Sequence, residues 1–190
     1  MERGRLPPDG HGHVVGRVAP AEPVPALLVE HVKDPAHASV QILTEDFCRR
    51  CAPLANLCPH FHLSMQSGCD ATLARMNRRY TTARYLESVD LLRRFFSDPA
   101  VTTDLIVGFP GETEEEFSAT LDFVRRCAFA EMHVFPYSIR TGTPAAEMAQ
   151  VPGPVKEERA GRAGELAVRL HREYLDRCVG PGPRRRSQCP

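Results

Sequence analysis

The stretch from Val101 to Tyr137 leaves this chain little choice of fold. It opens with Val101-Thr102-Thr103-Asp104-Leu105-Ile106-Val107, a β-branched run with the length and apolarity of a buried parallel strand. Gly108-Phe109-Pro110-Gly111 breaks the run, and Thr113-Glu114-Glu115-Glu116 follows as a helix-start signature. The Thr113 hydroxyl can accept from the Glu116 backbone N–H while the Glu116 carboxylate reaches back to the Thr113 N–H. Three acids also suit the positive end of a helix dipole. Phe117, Leu121 and Val124 then recur at helical spacing, and Met132-His133-Val134-Phe135-Pro136-Tyr137 reads as the next strand. Strand, helix and strand in this order make a β-α-β unit with a right-handed crossover.

The alternation extends both ways. Thr44-Glu45-Asp46 opens a helix to about Asn56, and Phe61-His62-Leu63-Ser64-Met65-Gln66 suits a strand. Asp70 stands where it can cap a short helix through Met76. Thr81 or Thr82 caps another through Phe96, with Tyr85, Val89, Leu92 and Phe96 on one face, and Asp98-Pro99 ends it. Residues 156–178 are helical again. The expected fold class is α/β, with parallel strands alternating with helices in an open sheet or part of a (β/α) barrel.

All 9 Phe and 4 Tyr lie between Phe47 and Tyr174, so the burial of large rings is concentrated in the middle of the chain. Residues 1–43 read as an irregular Pro/Gly-rich segment, broken by Leu6-Pro7-Pro8-Asp9-Gly10 and Pro20-Ala21-Glu22-Pro23-Val24-Pro25, with room for one short element near Ala26 to Val32. Residues 44–179 form the folded part. Residues 180–190, where Gly180-Pro181-Gly182-Pro183 leads into Arg184-Arg185-Arg186, read as a basic disordered tail.

Lys+Arg 24 balance Asp+Glu 24, so no net field draws the chain toward nucleic acid, and RNA contact requires a local basic patch or a partner chain. No apolar run approaches the ~20 residues of a membrane span. Met1-Glu2-Arg3-Gly4-Arg5 leads into prolines rather than an apolar signal core. The expectation is a cytoplasmic protein with no membrane partner. Seven cysteines, an odd number and widely spaced, argue against a disulfide framework. Cys48-Arg49-Arg50-Cys51, followed by Cys58, His60 and His62, superficially suggests zinc. Cys48 and Cys51 nevertheless fall in an amphipathic helix, where cysteines three apart face a core. Cys69, Cys127 and Cys178 are expected to pack structurally, and no metal ligand and no catalytic residue is assigned.

Ligands of parallel α/β folds gather at the carboxyl ends of the strands. Three polar or Gly-rich stretches follow the three strands here: Ser64 to Cys69, Gly108 to Thr113, and Tyr137 to Thr143. Each alone is a plausible turn; after consecutive strands they point to one shared rim. Gly108 and Gly111 permit close backbone approach, and Arg140 offers a fork suited to a carboxylate.

Four ordered motifs in residues 58–148 carry a resemblance. They are Cys58-Pro59-His60-Phe61-His62-Leu63-Ser64-Met65-Gln66-Ser67-Gly68-Cys69-Asp70, Met76-Asn77-Arg78-Arg79-Tyr80-Thr81, Thr103-Asp104-Leu105-Ile106-Val107-Gly108-Phe109-Pro110-Gly111-Glu112-Thr113, and His133 to Ala146 with its Tyr137-Ser138-Ile139-Arg140-Thr141-Gly142-Thr143 core. Together they resemble the radical-SAM tRNA methylthiotransferases. Within that family they look most like the MtaB type, which methylthiolates N6-threonylcarbamoyladenosine beside the anticodon. The resemblance implies a partial (β/α) radical-SAM barrel, of which 44–179 is the second half, roughly strands four to six. It also implies S-adenosyl-L-methionine and a [4Fe–4S] cluster as cofactors and tRNA as partner. Ser64, Gln66, Ser67 and Gly68, with Asp104, Gly108, Gly111, Glu112 and Arg140, are the implied cofactor-binding residues.

The departures are as informative. The cluster of such enzymes is held by three cysteines in a C-x3-C-x2-C loop, and no such triplet occurs in this sequence. The family's N-terminal cysteine-bearing domain and its small tRNA-gripping β domain have no counterpart either. The chain therefore reads as a fragment, with a separate N-terminal half or a second copy expected to cover its open sheet edges. The alternative is a non-catalytic module that holds S-adenosylmethionine or a partner chain.

Overall fold

The computed structural model describes Val40 and residues 43–179. The irregular segment expected over 1–43, with its element near Ala26 to Val32, and the basic tail over 180–190 lie outside the described residues, save Val40 and Leu43, which are both buried.

Helix α1 (Glu45–Cys51) starts where Thr44 caps it, the Thr44 hydroxyl accepting from the Phe47 N–H at 3.2 Å. It ends before Asn56 because Pro53 has no N–H with which to continue the helical ladder. Strand β1 is confined to His60–His62, shorter than the expected Phe61–Gln66. Beyond it the Met65 N–H bonds to the Thr103 hydroxyl at 3.0 Å instead of a carbonyl, which interrupts the ladder. Pairing resumes for one step at Gln66, whose N–H donates to the Asp104 carbonyl at 2.9 Å and whose φ is 66°.

Helix α2 (Asp70–Arg75) departs from expectation at its start: Cys69 is the N-cap and makes no side-chain cap bond. Asp70 instead accepts from the Thr82 N–H at 2.7 Å, so it satisfies a free donor of the next helix. That helix, α3 (Thr82–Phe95), is capped by Thr81 and buries Tyr85, Ser88, Val89 and Leu92. Phe96 lies just past it, half-buried against Phe61 with ring centroids 4.8 Å apart.

Strand β2 (Ala100–Val107), helix α4 (Glu114–Cys127) and strand β3 (Glu131–Pro136) form the β-α-β unit that the sequence demands. Both halves of the Thr113–Glu116 capping box are made. A 3₁₀ turn (Pro144–Glu147) then leads to the long helix α5 (Gly153–Val179). The sheet order is β1-β2-β3, with both pairs parallel; Thr102 stands opposite both His62 and Glu131, and Asp104 opposite His133.

The period of two along β2 decides which side is core. Val101, Thr103, Leu105 and Val107 are buried beneath the helices with Phe117, Leu121 and Val124 of α4. Tyr85 is wholly buried among them, its O–H donating to the Leu63 carbonyl at 2.6 Å, with Phe123 and Phe129 edge-on at 6.0 and 6.2 Å. Cys48, Cys51 and Cys127 lie in this core as expected, and burial pushes the Cys127 thiol up to about 12. Cys178 does not pack. Leu170 is the last buried residue of α5, so the final turns stand clear of the core and the thiol is exposed. The opposite face of the sheet presents His60, His62, Glu131, His133 and Phe135, all exposed.

Candidate cofactor-binding rim

All three strands run the same way, so the segments after them meet at one end of the sheet. The Gly108–Thr113 loop is the centre of that rim. Gly108 and Gly111 have φ of +68° and +75°, which glycine adopts without penalty. The Gly108 N–H donates to Glu112 Oε2 at 2.7 Å, and the same oxygen receives Arg159 Nη1 at 2.9 Å. This ion pair is almost fully sealed, with 1% of the Glu112 side chain and 5% of Arg159 exposed. Burial raises the Glu112 carboxyl above its ordinary range, opposed by the Gly108 N–H and by Arg159. A residue of α5, 47 positions further along, thus fixes a turn at the end of β2.

Lys156, also on α5, lies across Gly108 and donates to the Tyr137 carbonyl at 3.1 Å. A Cβ at Gly108 would stand 2.4 Å from Lys156 Cγ. Tyr137 carries the β3–β2 pairing onto the rim through its N–H to the Val107 carbonyl at 2.8 Å, and its ring meets Phe109 edge-on at 5.1 Å. On the far side, Arg75 grips the carboxylate of Glu116 with both Nη atoms. The guanidinium holds Glu116 below the usual carboxylate range, so the residue that closes the capping box of α4 also fastens α2 to it.

These pieces enclose a cavity of about 310 Å³ lined by Arg75, Asn77, Arg78, Ile106, Phe109, Tyr137 and Arg140 among others. It has apolar walls and a cationic edge, the form of a site for a ring-bearing ligand with an anionic group. Arg140 reaches it as the sequence suggests. Gly111 borders it, since a Cβ there would stand 3.6 Å from Arg75 Nε.

The other residues singled out from the sequence take different positions. Ser64 and Asp104 lie together on the open sheet face, Ser64 Oγ donating to Asp104 Oδ2 at 3.3 Å. Gln66 joins the edge of β2 by its backbone. Ser67 and Gly68 turn into the protein. Ser67 Oγ meets Thr120 at 3.3 Å and accepts the Cys69 N–H, while a Cβ at Gly68 would stand 2.9 Å from Phe123 Cβ. These two seat the first loop on α4, and Glu112 braces the second. Sequence reasoning passed over His62, whose Nε2 stands 3.2 Å from both Asp104 Oδ2 and Ser64 Oγ. Its signal was the alternation of His60, His62 and Ser64 along one face of a strand.

The cysteines do not fit an iron–sulfur cluster. Cys48 and Cys51 point into the core, at 0% and 3% exposure, and Cys58 is on the surface. Among the described residues, no group of three or more His, Cys, Asp or Glu is placed to hold a metal ion.

Parallel strands alternating with helices, with a glycine-turned cavity where the strands end, define a ligand-binding α/β domain of the barrel class. Residues 27–124 match the radical SAM superfamily, and the chain belongs to it. It is 51% identical over 138 residues to the tRNA-2-methylthio-N(6)-dimethylallyladenosine synthase of Mycobacterium avium (strain 104), covering 72% of this chain and 19% of that protein. The synthases of that name from Mycolicibacterium paratuberculosis and Nocardia farcinica are 50% and 46% identical, and 27% of each is covered. The chain thus spans about a quarter or less of the length of these relatives. Among solved structures, Escherichia coli coproporphyrinogen III oxidase, a radical SAM enzyme, superposes with a TM-score of 0.54 at 17% identity. That match covers 69% of this chain and 31% of the oxidase, and it shows the shared fold.

Proposed function

We propose that this chain is part of the radical SAM domain of a tRNA methylthiotransferase, and that its rim binds the adenosyl portion of S-adenosylmethionine. The cavity between Ile106, Phe109, Tyr137 and Arg140 carries the reading. Ile106 and the two rings offer apolar walls to adenine, the turn at Gly108 and Gly111 leaves backbone accessible, and the Arg140 fork suits a carboxylate. Bound at a reduced cluster, S-adenosylmethionine supplies a carbon-centred radical. This chain lacks the cluster ligands, so its own share is to hold and orient the cofactor while another segment or chain brings the iron. That second chain, an N-terminal half or another copy, would also cover the open edge of β1.

For the acceptor, the motifs by themselves suggest N6-threonylcarbamoyladenosine. Identities of 46–51% to synthases named for N6-dimethylallyladenosine support that adenosine instead, and we take it as the substrate class. The competing reading, a non-catalytic module that holds the cofactor, draws support from the burial of Cys48 and Cys51.

Calorimetric titration with S-adenosylhomocysteine tests the cofactor site. Saturable binding is expected, weakened about tenfold or more, ~1.4 kcal/mol, by Arg140→Ala. No saturable binding, or an Arg140→Ala variant that binds equally well, would sink the assignment. Mass spectrometry of tRNA incubated with reductant and S-adenosylmethionine separates the two readings. Methylthiolated adenosine should form only when a cluster-bearing N-terminal half is supplied; none even then favours the module.

A further inference from the structure

The open face of the sheet carries a continuous line of hydrogen bonds. His60 Nε2 lies 3.2 Å from Thr102 Oγ1, and the same hydroxyl lies 3.0 Å from His62 Nδ1. His62 Nε2 lies 3.2 Å from Asp104 Oδ2. The donor directions follow from chemistry. A carboxylate only accepts, so His62 carries its proton on Nε2 and leaves Nδ1 as an acceptor. The Thr102 hydroxyl has one proton, which it gives to His62 Nδ1, so it must accept from His60 Nε2–H. Every link then has one donor and one acceptor, and the outer nitrogen of His60, an exposed residue, is left with a free lone pair.

We propose that His60, Thr102, His62 and Asp104 form a proton wire along the open sheet face, connecting bulk solvent at His60 to the Asp104 carboxylate beside the rim. A proton arriving at His60 Nδ1 releases the Nε2 proton to Thr102. The hydroxyl passes its own proton to His62 Nδ1, and His62 gives its Nε2 proton to Asp104. Four groups each gain and lose within the line, and the net result is one proton moved from water to Asp104, with no charge left between. The reversed line, with both histidines in the other tautomer, returns the proton to water. Ser64 Oγ, donating to the same Asp104 oxygen, helps to hold the carboxylate in place. On β3 the same face carries Glu131 opposite Thr102 and His133 opposite Asp104; with Asp104 and the two histidines these set the local charge. The line makes the charge of Asp104 respond to solvent pH at a position facing whatever the rim holds. A ligand group that is cationic or donates a hydrogen bond is favoured when the wire is unloaded.

The inference does not depend on the identity of the cofactor, and its test needs none. Long-range proton–nitrogen spectra of the full chain, labelled at histidine, read ring tautomers directly. At neutral pH both His60 and His62 are expected as the Nε2–H form. On acidification, the ring nitrogens of each should register the titration of the other as a second inflection. Thr102→Val keeps the β-branched shape but removes the hydroxyl, and should abolish both second inflections; Thr102→Ser should restore them. His62 found as the Nδ1–H form, or single inflections unchanged between wild type and Thr102→Val, would overturn the proposal. Should Thr102→Val fail to fold, the wild-type tautomers and a doubly inflected Thr102→Ser profile still decide it.

Discussion

Arg159→Met is the sharpest probe of how the rim is built. Methionine retains much of the stem that packs across Phe117 but removes the guanidinium, leaving Glu112 with 1% of its side chain exposed and only the Gly108 N–H facing its Oε2. Breaking a buried pair by deleting one partner costs about 3–5 kcal/mol, because the orphaned charge cannot be solvated. With a urea dependence of about 2 kcal/mol per molar for a domain of this size, the midpoint should fall by roughly 2 M. The pH dependence tests the cause. The Glu112 carboxyl is raised in the fold, chiefly by burial, so the native state holds a proton more readily than the unfolded chain. Its contribution to stability is present below the unfolded value and lost as pH rises through the folded one. Losing Arg159 lifts the carboxyl further, so the variant should lag wild type most near about pH 7 and progressively less toward about pH 5. Urea unfolding followed by helical circular dichroism measures both. The double variant Glu112→Gln/Arg159→Met has no buried charge and should recover about 1–3 kcal/mol relative to Arg159→Met. A loss under about 1 kcal/mol, a pH-independent loss, or no recovery in the double variant would refute the argument.

Three further tests address the elements around it. Gly108→Ala, with its Cβ 2.4 Å from Lys156 Cγ at φ +68°, should cost more than Gly142→Ala at φ +82° in open space, where only the backbone penalty of about 1–2 kcal/mol applies; comparing their melting temperatures decides it. Thr113→Ala removes the hydroxyl half of the capping box and should cost ~1 kcal/mol by denaturant titration. Glu116→Gln removes a carboxylate held low by Arg75. That stabilisation is present above the unfolded value and lost as pH falls through the folded one, so wild type and variant should converge in stability on acidification.

The sequence made the elements legible where a signal was local. Thr44, Thr81 and Thr113 each cap the helix they precede, and β2 alternates along its length as a half-covered strand. It erred where a side chain serves a distant segment. Asp70 looks like its own helix's cap but bonds to Thr82, and Thr103 interrupts the edge of β1 with its hydroxyl. The candidate site shows the same division. Arg140 reaches the cavity as its motif suggests, whereas Ser67, Gly68 and Glu112 occupy the same motifs yet turn inward. Their partners, Thr120, Phe123 and Arg159, belong to other elements, and no local pattern announces a pairing across 47 residues. His62 stayed hidden because an isolated histidine acquires meaning only when β2 is laid beside it with Thr102 and Asp104.

The brace from α5 to the glycine turn also has a bearing on biosynthesis. A chain emerging from the ribosome presents Gly108 and Glu112 long before Arg159 exists to meet them. Until then the turn has lost its anchor, and the nascent β-α-β unit carries an unpaired Glu112 that water can still reach. Vectorial translation therefore delays completion of the rim until α5 has docked, and the half-made domain is kept from closing on a nucleotide while its fold is unfinished.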